Sequence, residues 1–338
     1  RRPELLETIK AQFERYNRLS IITPAVLILA VPFTMVGNAY WLYNLIFAGI
    51  YLIASLGLNM QLGSTGIVNL SGAAFYGVGA YTAALLSTQM GVPTELTLIL
   101  GALMAGVFSI FLFIPLLRTA GHYVALVTIA FQFIFVLLAE NLEFTGGPQG
   151  ISNIPLLSLF GYEFGQTYQL FGMSLPSFTD FYLILMVFLV FAIVISYRLY
   201  HSWVGVTLAT IRDDEIAAET FGVNVNRWKM IIFTLGNAFM GFAGAFYAHL
   251  VGNISPYVFS FDRSLVMVSI VILGGMDNIA GVTVGALLLV LLPEKLRFIG
   301  DYRLLFYGLV LIAGLLFRPQ GLLPYKVRDY VDLALKGK

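Results

Sequence analysis

Apolar runs separated by short polar stretches make up most of this chain. Most runs approach the roughly 20 residues that an α-helix needs to cross a bilayer, and they lack the alternation of membrane β-strands. The pattern therefore predicts an all-α, polytopic membrane protein. The predicted segments are 21–37, 40–62, 72–90, 95–117, 122–140, 181–198, 229–251, 265–275, 279–292 and 302–317.

The two shortest segments, 265–275 and 279–292, are separated by the sequence GGMDN at 274–278. They are interpreted either as two crossings or a re-entrant hairpin, or as one interrupted span. The choice matters because it decides whether the two chain ends lie on the same side of the membrane.

Basic residues are distributed unevenly between the predicted loops. None lies between Arg118 and Arg198. Most of the 19 basic residues fall instead at 1–20, Arg118, 198–229 and 318–338. The positive-inside rule then places the 141–180 loop outside and both chain ends in the cytoplasm, so the number of crossings is even. About ten segments, some broken or re-entrant, satisfy this N-in, C-in topology. Three basic residues fit it least well, because they fall outside: Lys295, Arg297 and Arg303.

Composition agrees with a membrane protein and narrows the chemistry. The chain is 59% hydrophobic and 11% charged, whereas soluble domains have about 25% charged residues. The net charge of +1 argues against a polyanionic partner. Without cysteine, and with three histidines far apart in sequence, thiol chemistry is excluded and no metal site is predicted. The chain has no P-loop sequence and no recognisable catalytic residues, so it is not expected to be an enzyme.

The chain ends suggest a simple division into domains. Residues 1–20 carry five basic residues and apolar residues at helical spacing, as in a helix lying on the membrane surface, with a basic tail as the alternative. The predicted domains are this cytoplasmic helix at 1–20, the transmembrane domain at 21–325 and a cytoplasmic tail at 326–338.

His201–Trp228 is the longest internal stretch that is too polar for a bilayer. A short helix is predicted at Asp213–Phe221, with Asp213 or Asp214 as its N-cap and Gly222 as the glycine that ends it. So short a helix is not stable alone in water, and it is therefore expected to need a partner surface.

Leu58–Tyr81 combines polar residues with glycines inside an apolar region. Because lipid disfavours such sequence, we interpret it as lining a water-filled path, with a helix break at 63–66. The alternative is a cytoplasmic turn between two closely packed spans. The candidate path residues are Asn59, Gln61, Ser64, Thr65, Asn69, Ser71 and, from a later span, Gln132.

Charged residues are missing from the middle of the predicted spans, and only Asp277 and His249 come close. Proton-coupled carriers normally need such a residue as a relay. The sequence therefore favours a neutral or zwitterionic solute and disfavours proton-driven transport.

The sequence VGVTLATIRDDEIAAETFGVNVNRW at 204–228 resembles the cytoplasmic loop of LivM-type permeases, the membrane subunits of high-affinity branched-chain amino acid importers. The matching residues are Gly205, Ile211, Arg212, Glu215, Ala217, Ala218, Gly222 and Asn224, whereas Thr210 replaces an alanine of the family. Segments 57–81, 145–151, 274–289 and 317–324 also resemble this family, although Asp277-Asn278 stands where Gly-Ser or Gly-Thr is common.

The resemblance implies a transport subunit of an ATP-binding-cassette importer in the bacterial inner membrane. The cytoplasmic coupling loop at 199–228 would dock on an ATPase, its alanines permitting close approach and its charges fixing the register. The implied coupling residues are Arg212, Asp213, Asp214, Glu215, Ala217, Ala218, Glu219 and Gly222. The implied partners are a second related permease subunit, two ATP-binding subunits and an extracytoplasmic substrate-binding protein. ATP and Mg²⁺ would be bound by the ATPase subunits, and no cofactor by this chain.

Two alternatives remain open at this stage. Importers of urea and short-chain amides share the permease architecture, so the solute is not fixed by the resemblance. A self-sufficient, ion-coupled secondary carrier is the alternative from another class, and it would need the intramembrane relay that the predicted spans lack.

Overall fold

A computed structural model of the chain describes residues 39–117, 122–159, 161–165, 168–170, 173–175, 178–296, 302–318 and 320–323. This part of the chain is mainly α-helical, as predicted. Its helices are α1 (Ala39–Thr65), α2 (Gly72–Gln89), α3 (Thr94–Leu116), α4 (His122–Asn141), α5 (Thr179–Tyr200), α6 (Trp203–Asp213), α7 (Glu215–Thr220), α8 (Val225–Val251), α9 (Phe261–Gly274), α10 (Ile279–Lys295) and α11 (Arg303–Phe317). The predictions for 1–20, 21–37 and 326–338 lie outside the described residues.

Among the described residues, six stretches of helix are long and apolar enough to cross a membrane. They comprise α1, α3, α4, α5, α8 and a stretch that joins the turn at Pro256–Phe259 to α9. The chain is therefore a multi-pass membrane protein. Helices α2, α10 and α11 match predicted spans but are not among these six, so the predicted total of ten stays a prediction.

Helix α8 lies at the centre of the bundle and packs against α1, α2 and α3. Glycines permit this packing: a side chain at Gly79 would overlap the carbonyl of Gly241, and one at Gly57 would overlap the carbonyl of Gly236. Small residues let helix backbones approach closely, which is how helices associate where no hydrophobic effect drives them.

The two ends of α8 define two ends of the bundle. Its 27 residues span about 40 Å. At one end His249 contacts Thr97 and Pro155, and we call this the His249 end. At the other, Arg212 contacts Gly63 and Asp277, and we call this the Arg212 end. The 141–180 loop and the 199–228 loop therefore lie at opposite ends, as predicted. Which end is cytoplasmic stays a prediction.

Helices α9 and α10 fold back on each other. The backbone of Gly274 lies against Gly281, and Gly285 lies against Ile270 one turn further along, so the two helices are antiparallel. The turn between them contains Asp277, whose φ of 62° is left-handed. The prediction of two separate segments is confirmed, and the interpretation as one interrupted span is wrong.

The described residues of the long loop between α4 and α5 are structured. It contains short hairpins formed by β1 (Ser158–Leu159) with β2 (Tyr162–Glu163), and by β3 (Tyr168–Leu170) with β4 (Met173–Leu175). Ile151 pairs with Ile254 through two backbone hydrogen bonds of 2.9 Å, and Leu157 is fully buried. Its sequence, rich in Gly, Pro and aromatic residues, allows two interpretations: a lid or docking surface for something arriving from outside, or a structured loop over helix ends. The described residues of the loop do cover helix ends. Docking of a soluble protein on it stays a prediction.

Candidate functional site

The short helix α7 is built by local hydrogen bonds. Asp214 is its N-cap, and the carboxylate accepts hydrogen bonds from the backbone N–H groups of Ile216 and Ala217 at 2.9 and 3.0 Å. Gly222, with a φ of 81°, follows its C-terminal end. The predicted cap and terminal glycine are thus confirmed. The predicted bounds are too wide, because Asp213 belongs to α6 and the extended backbone of Asp214 separates the two helices.

The outward face of α7 differs from the one that we expected. Ala218 is fully buried against this chain's own α6 and α8, and Ala217 is partly buried. The exposed apolar side chains are instead Ile216 and Phe221, which are 77% and 84% exposed. Ala218 is therefore not available for close approach of another protein. The sequence did contain a signal for this exposed pair, which we missed: Ile216 and Phe221 are isolated apolar residues in an otherwise polar stretch.

The acidic residues around this pair complete the surface. Asp213, Asp214, Glu215 and Glu219 are all exposed. Lys229 at the start of α8 forms an ion pair with Glu215 at 2.5 Å. The surface thus has an apolar centre and an acidic surround, and it is tied to α8 on one side.

Arg212 points into its own chain rather than out of it. Its Nη1 donates hydrogen bonds to the carbonyl of Gly63 and to Oδ2 of Asp277, the latter at 2.8 Å. The backbone N–H of Asp277 donates to Asn59 Oδ1 at 3.0 Å, and Ser64 donates to Asp277 Oδ1 at 3.3 Å. We call these five residues the Arg212 clamp. It connects the coupling loop to α1 and to the turn between α9 and α10.

A second polar group lies deeper, between α1 and α8. Gln61 donates to the carbonyl of Phe233 at 2.9 Å and to Asn237 Oδ1 at 3.1 Å. Asn69 donates to both Gln61 and Asn237, at 2.8 and 2.9 Å, and accepts from Ser71 at 2.6 Å. Thr65 donates to the carbonyl of Gln61. These bonds stabilise the non-helical segment 66–71, so the break lies after Thr65 and not at 63–66 as predicted.

Gln132 forms a third group between α2, α4 and α9. Its Oε1 accepts from the backbone N–H of Ala74 at 2.8 Å and from Ser264 at 3.0 Å, and its Nε2 donates to the carbonyl of Phe259 at 2.7 Å. The side chain is fully buried.

The predicted path residues are therefore distributed over three hydrogen-bonded groups, and each is no more than 4% exposed. Buried amides with satisfied partners fix helix positions. Their role in lining a path stays a prediction.

One intramembrane charge was missed. Arg263 lies in the first turn of α9, whereas the predicted segment began at residue 265. Its Nη1 donates to the hydroxyl of Tyr51 at 3.3 Å. Because the candidate span runs from Pro256 to Gly274, Arg263 lies near its middle, and the expectation that no charged residue lies there is wrong for this span.

Comparison with known proteins identifies relatives over most of the chain. The family described as branched-chain amino acid transport system, permease component, matches residues 40–315. The LivM permease protein of Escherichia coli K12 is 36% identical, with 91% of this chain and 75% of that protein covered. LivM of Salmonella typhimurium is 37% identical, covering 81% and 68%. The LivH permease protein of Salmonella typhimurium is 24% identical, covering 71% and 79%. No solved structure matches.

Proposed function

Because the chain belongs to the branched-chain amino acid transport permease family, we propose that it is the membrane-spanning subunit of an ATP-binding-cassette importer. It moves branched-chain or related neutral amino acids inward across the bacterial inner membrane. Its partners are a second permease subunit, two ATP-binding subunits and a substrate-binding protein. The similarity to both LivM and LivH supports a pair of related permease chains. ATP and Mg²⁺ are bound by the ATPase subunits, and this chain catalyses no reaction.

The exposed apolar pair formed by Ile216 in α7 and Phe221 directly after it is the observation that carries the coupling part of this proposal. Ile216 and Phe221 are the most exposed large apolar side chains of the coupling loop. Exposed apolar groups within a polar rim are typical of protein contacts. We infer that they dock in a groove of the cytoplasmic ATPase, and that the surrounding carboxylates select its charge.

The contacts of the coupling loop indicate how a movement of α7 would be transmitted to the membrane helices. Helix α7 is anchored to α8 through the Lys229–Glu215 ion pair and through buried Ala218. Helix α6 is anchored to α1 and to the α9–α10 turn through the Arg212 clamp. A displacement of α7 by the ATPase would therefore shift these helices as rigid bodies.

The test is the variant Ile216→Asp in the complete importer. A charge at this position cannot be buried in an apolar groove without a partner, so co-purification of the ATPase and ATP-driven leucine uptake into proteoliposomes should both fall about tenfold. Ile216→Leu is the matched control, because it keeps an apolar side chain of the same size at the same exposed position. Ala218→Asp is unsuitable, since it would place a charge in this chain's own core.

Two results would reject the proposal. Leucine uptake that continues without the ATPase subunits would indicate a self-sufficient carrier. ATPase association that survives both Ile216→Asp and Phe221→Asp would remove α7 as the docking element.

A further inference from the structure

Arg263 lies about halfway through the bundle. Its partner Tyr51 stands in a helix that runs from residue 39 to residue 65, about 18 Å from one end and 21 Å from the other. The neighbouring Ser264 donates to Gln132, which lies near the middle of α4. A guanidinium is therefore held at a depth where membrane proteins rarely place a charge.

No carboxylate in the described part of the chain forms an ion pair with Arg263. Its neighbours are tyrosines: Tyr51 accepts its hydrogen bond, the ring of Tyr76 stacks on that of Tyr51, and the ring of Tyr247 packs against Tyr76. Asp262 in the same turn is exposed. The Arg263 side chain is also exposed at the surface of this single subunit. Since a mid-depth arginine does not face lipid, this surface faces a water-filled path or the second permease subunit.

The backbone around Arg263 adds to its preference for an anion. The chain enters from the His249 end through the turn Pro256–Phe259, and Phe259 is fully buried against the rings of Tyr76 and Tyr81. Helix α9 then begins inside the bundle rather than at its end. The N-terminus of a helix carries partial positive charge, and broken helices use it to hold anionic groups of solutes.

A continuous row of aromatic rings connects this position to the His249 end. Centroid distances are 4.8 Å from Tyr43 to Phe47, 5.7 Å from Phe47 to Tyr247, 5.6 Å from Tyr247 to Tyr76, and 6.4 Å from Tyr76 to Tyr51. Tyr43 also lines an open cavity of about 400 Å³ at that end, together with Ala39, Tyr40, Phe178, Leu250 and Val251. Tyr76 and Tyr247 are buried in this conformation, at 4% and 8% exposure, so a solute reaches this row only when the bundle opens. A row of aromatic rings that ends at a cation suits a solute with an apolar part and a carboxylate.

We propose that Arg263, together with the N-terminus of α9 and the hydroxyl of Tyr51, binds the carboxylate of the amino acid midway through transport. The rings of Tyr247 and Tyr76 contact its apolar side chain. This inference rests on the proposed function, and it narrows the substrate class: a solute needs a carboxylate to use the site. Urea and short-chain amides, which are uncharged, gain nothing from the guanidinium.

The absence of cysteine in this sequence makes a direct test possible. In the complete importer, assembled with cysteine-free partner subunits, Arg263→Cys should lower leucine uptake about tenfold, because a charge-assisted bond to the carboxylate is lost. Reaction with aminoethyl methanethiosulfonate adds a positive charge at this position and should restore much of the uptake. The sulfonatoethyl reagent adds a negative charge and should not. Leucine, but not urea or isovaleramide, should slow the labelling.

Arg318→Cys is the matched control, since Arg318 is an exposed arginine at the Arg212 end. Both reagents should label it without changing uptake. The proposal is overturned if Arg263→Cys keeps full uptake, resists labelling, responds alike to both reagents, or prevents assembly, which would show a structural role. If the unmodified importer itself takes up no leucine, the proposed function fails before the site is tested.

Discussion

Arg212 and Arg263 both donate a hydrogen bond to α1, Arg212 to Gly63 and Arg263 to Tyr51. The two guanidinium groups differ in whether a carboxylate neutralises their charge. Arg212 has a carboxylate partner in Asp277 and closes the clamp at one end of the bundle. Arg263, at mid-depth, donates to the hydroxyl of Tyr51 and forms no ion pair with a carboxylate of the described residues. A paired charge holds elements of the fold together, whereas a charge without a carboxylate keeps its capacity for a ligand. The same residue type thus serves structure at one site and, as we infer, recognition at the other.

The largest effect that separates the two arginines is expected on stability. Arg212→Leu leaves the Asp277 carboxylate, whose side chain is only 18% exposed, without its cation. Because a half-buried charge then loses its partner, the protein should lose about 2 kcal/mol of stability. Arg263→Leu removes a charge that has no carboxylate partner and should leave stability almost unchanged. Melting of the purified protein in detergent measures both, and equal losses would contradict the distinction.

A smaller effect on stability is expected at Asp277 in the Arg212 clamp, where two substitutions separate the contribution of its charge from that of its backbone conformation. Asp277 has a left-handed backbone, which asparagine tolerates well and alanine poorly. Asp277→Asn should therefore lose only the charge, and Asp277→Ala should lose about 1 kcal/mol more. The two variants are compared by their melting temperatures. Asn278→Ala is a control in the same turn, because Asn278 accepts a capping bond from Gly281 but has no charge. Identical melting of the two Asp277 variants would show that backbone strain does not matter there.

Most helices could be predicted because an apolar run of helix length indicates a segment that can cross the bilayer. The short helix α7 was also predictable, since its cap at Asp214 and its terminal glycine at Gly222 are local signals. Contacts between residues that are far apart in the sequence could not be predicted. No feature of the sequence around Arg212 indicates that it bonds to Asp277 instead of facing a partner protein. The sequence around Ala218 likewise does not indicate that this residue is buried against α6 and α8.

Arg263 was missed for a related reason. Hydropathy excludes charged residues from a predicted span, so the segment began after Arg263 although the helix begins at Phe261. A method that rewards apolar residues misplaces the start of a helix whose first turn carries charged residues.

The smallest predicted effect concerns the Tyr51 hydroxyl, the hydrogen-bond partner of Arg263. The bond from Arg263 to Tyr51 is long, at 3.3 Å, so Tyr51→Phe should change stability by less than about 0.5 kcal/mol. If that hydroxyl also contacts the solute during transport, the KM for leucine should rise about threefold with little change in the maximal rate, as expected for a group that contributes binding alone. Tyr257→Phe is the control, because Tyr257 is 65% exposed. An unchanged KM, measured by leucine uptake in proteoliposomes, would restrict Tyr51 to positioning Arg263. A loss of stability as large as that expected of Arg212→Leu would instead assign the Arg263–Tyr51 bond to the fold and remove the difference between the two arginines.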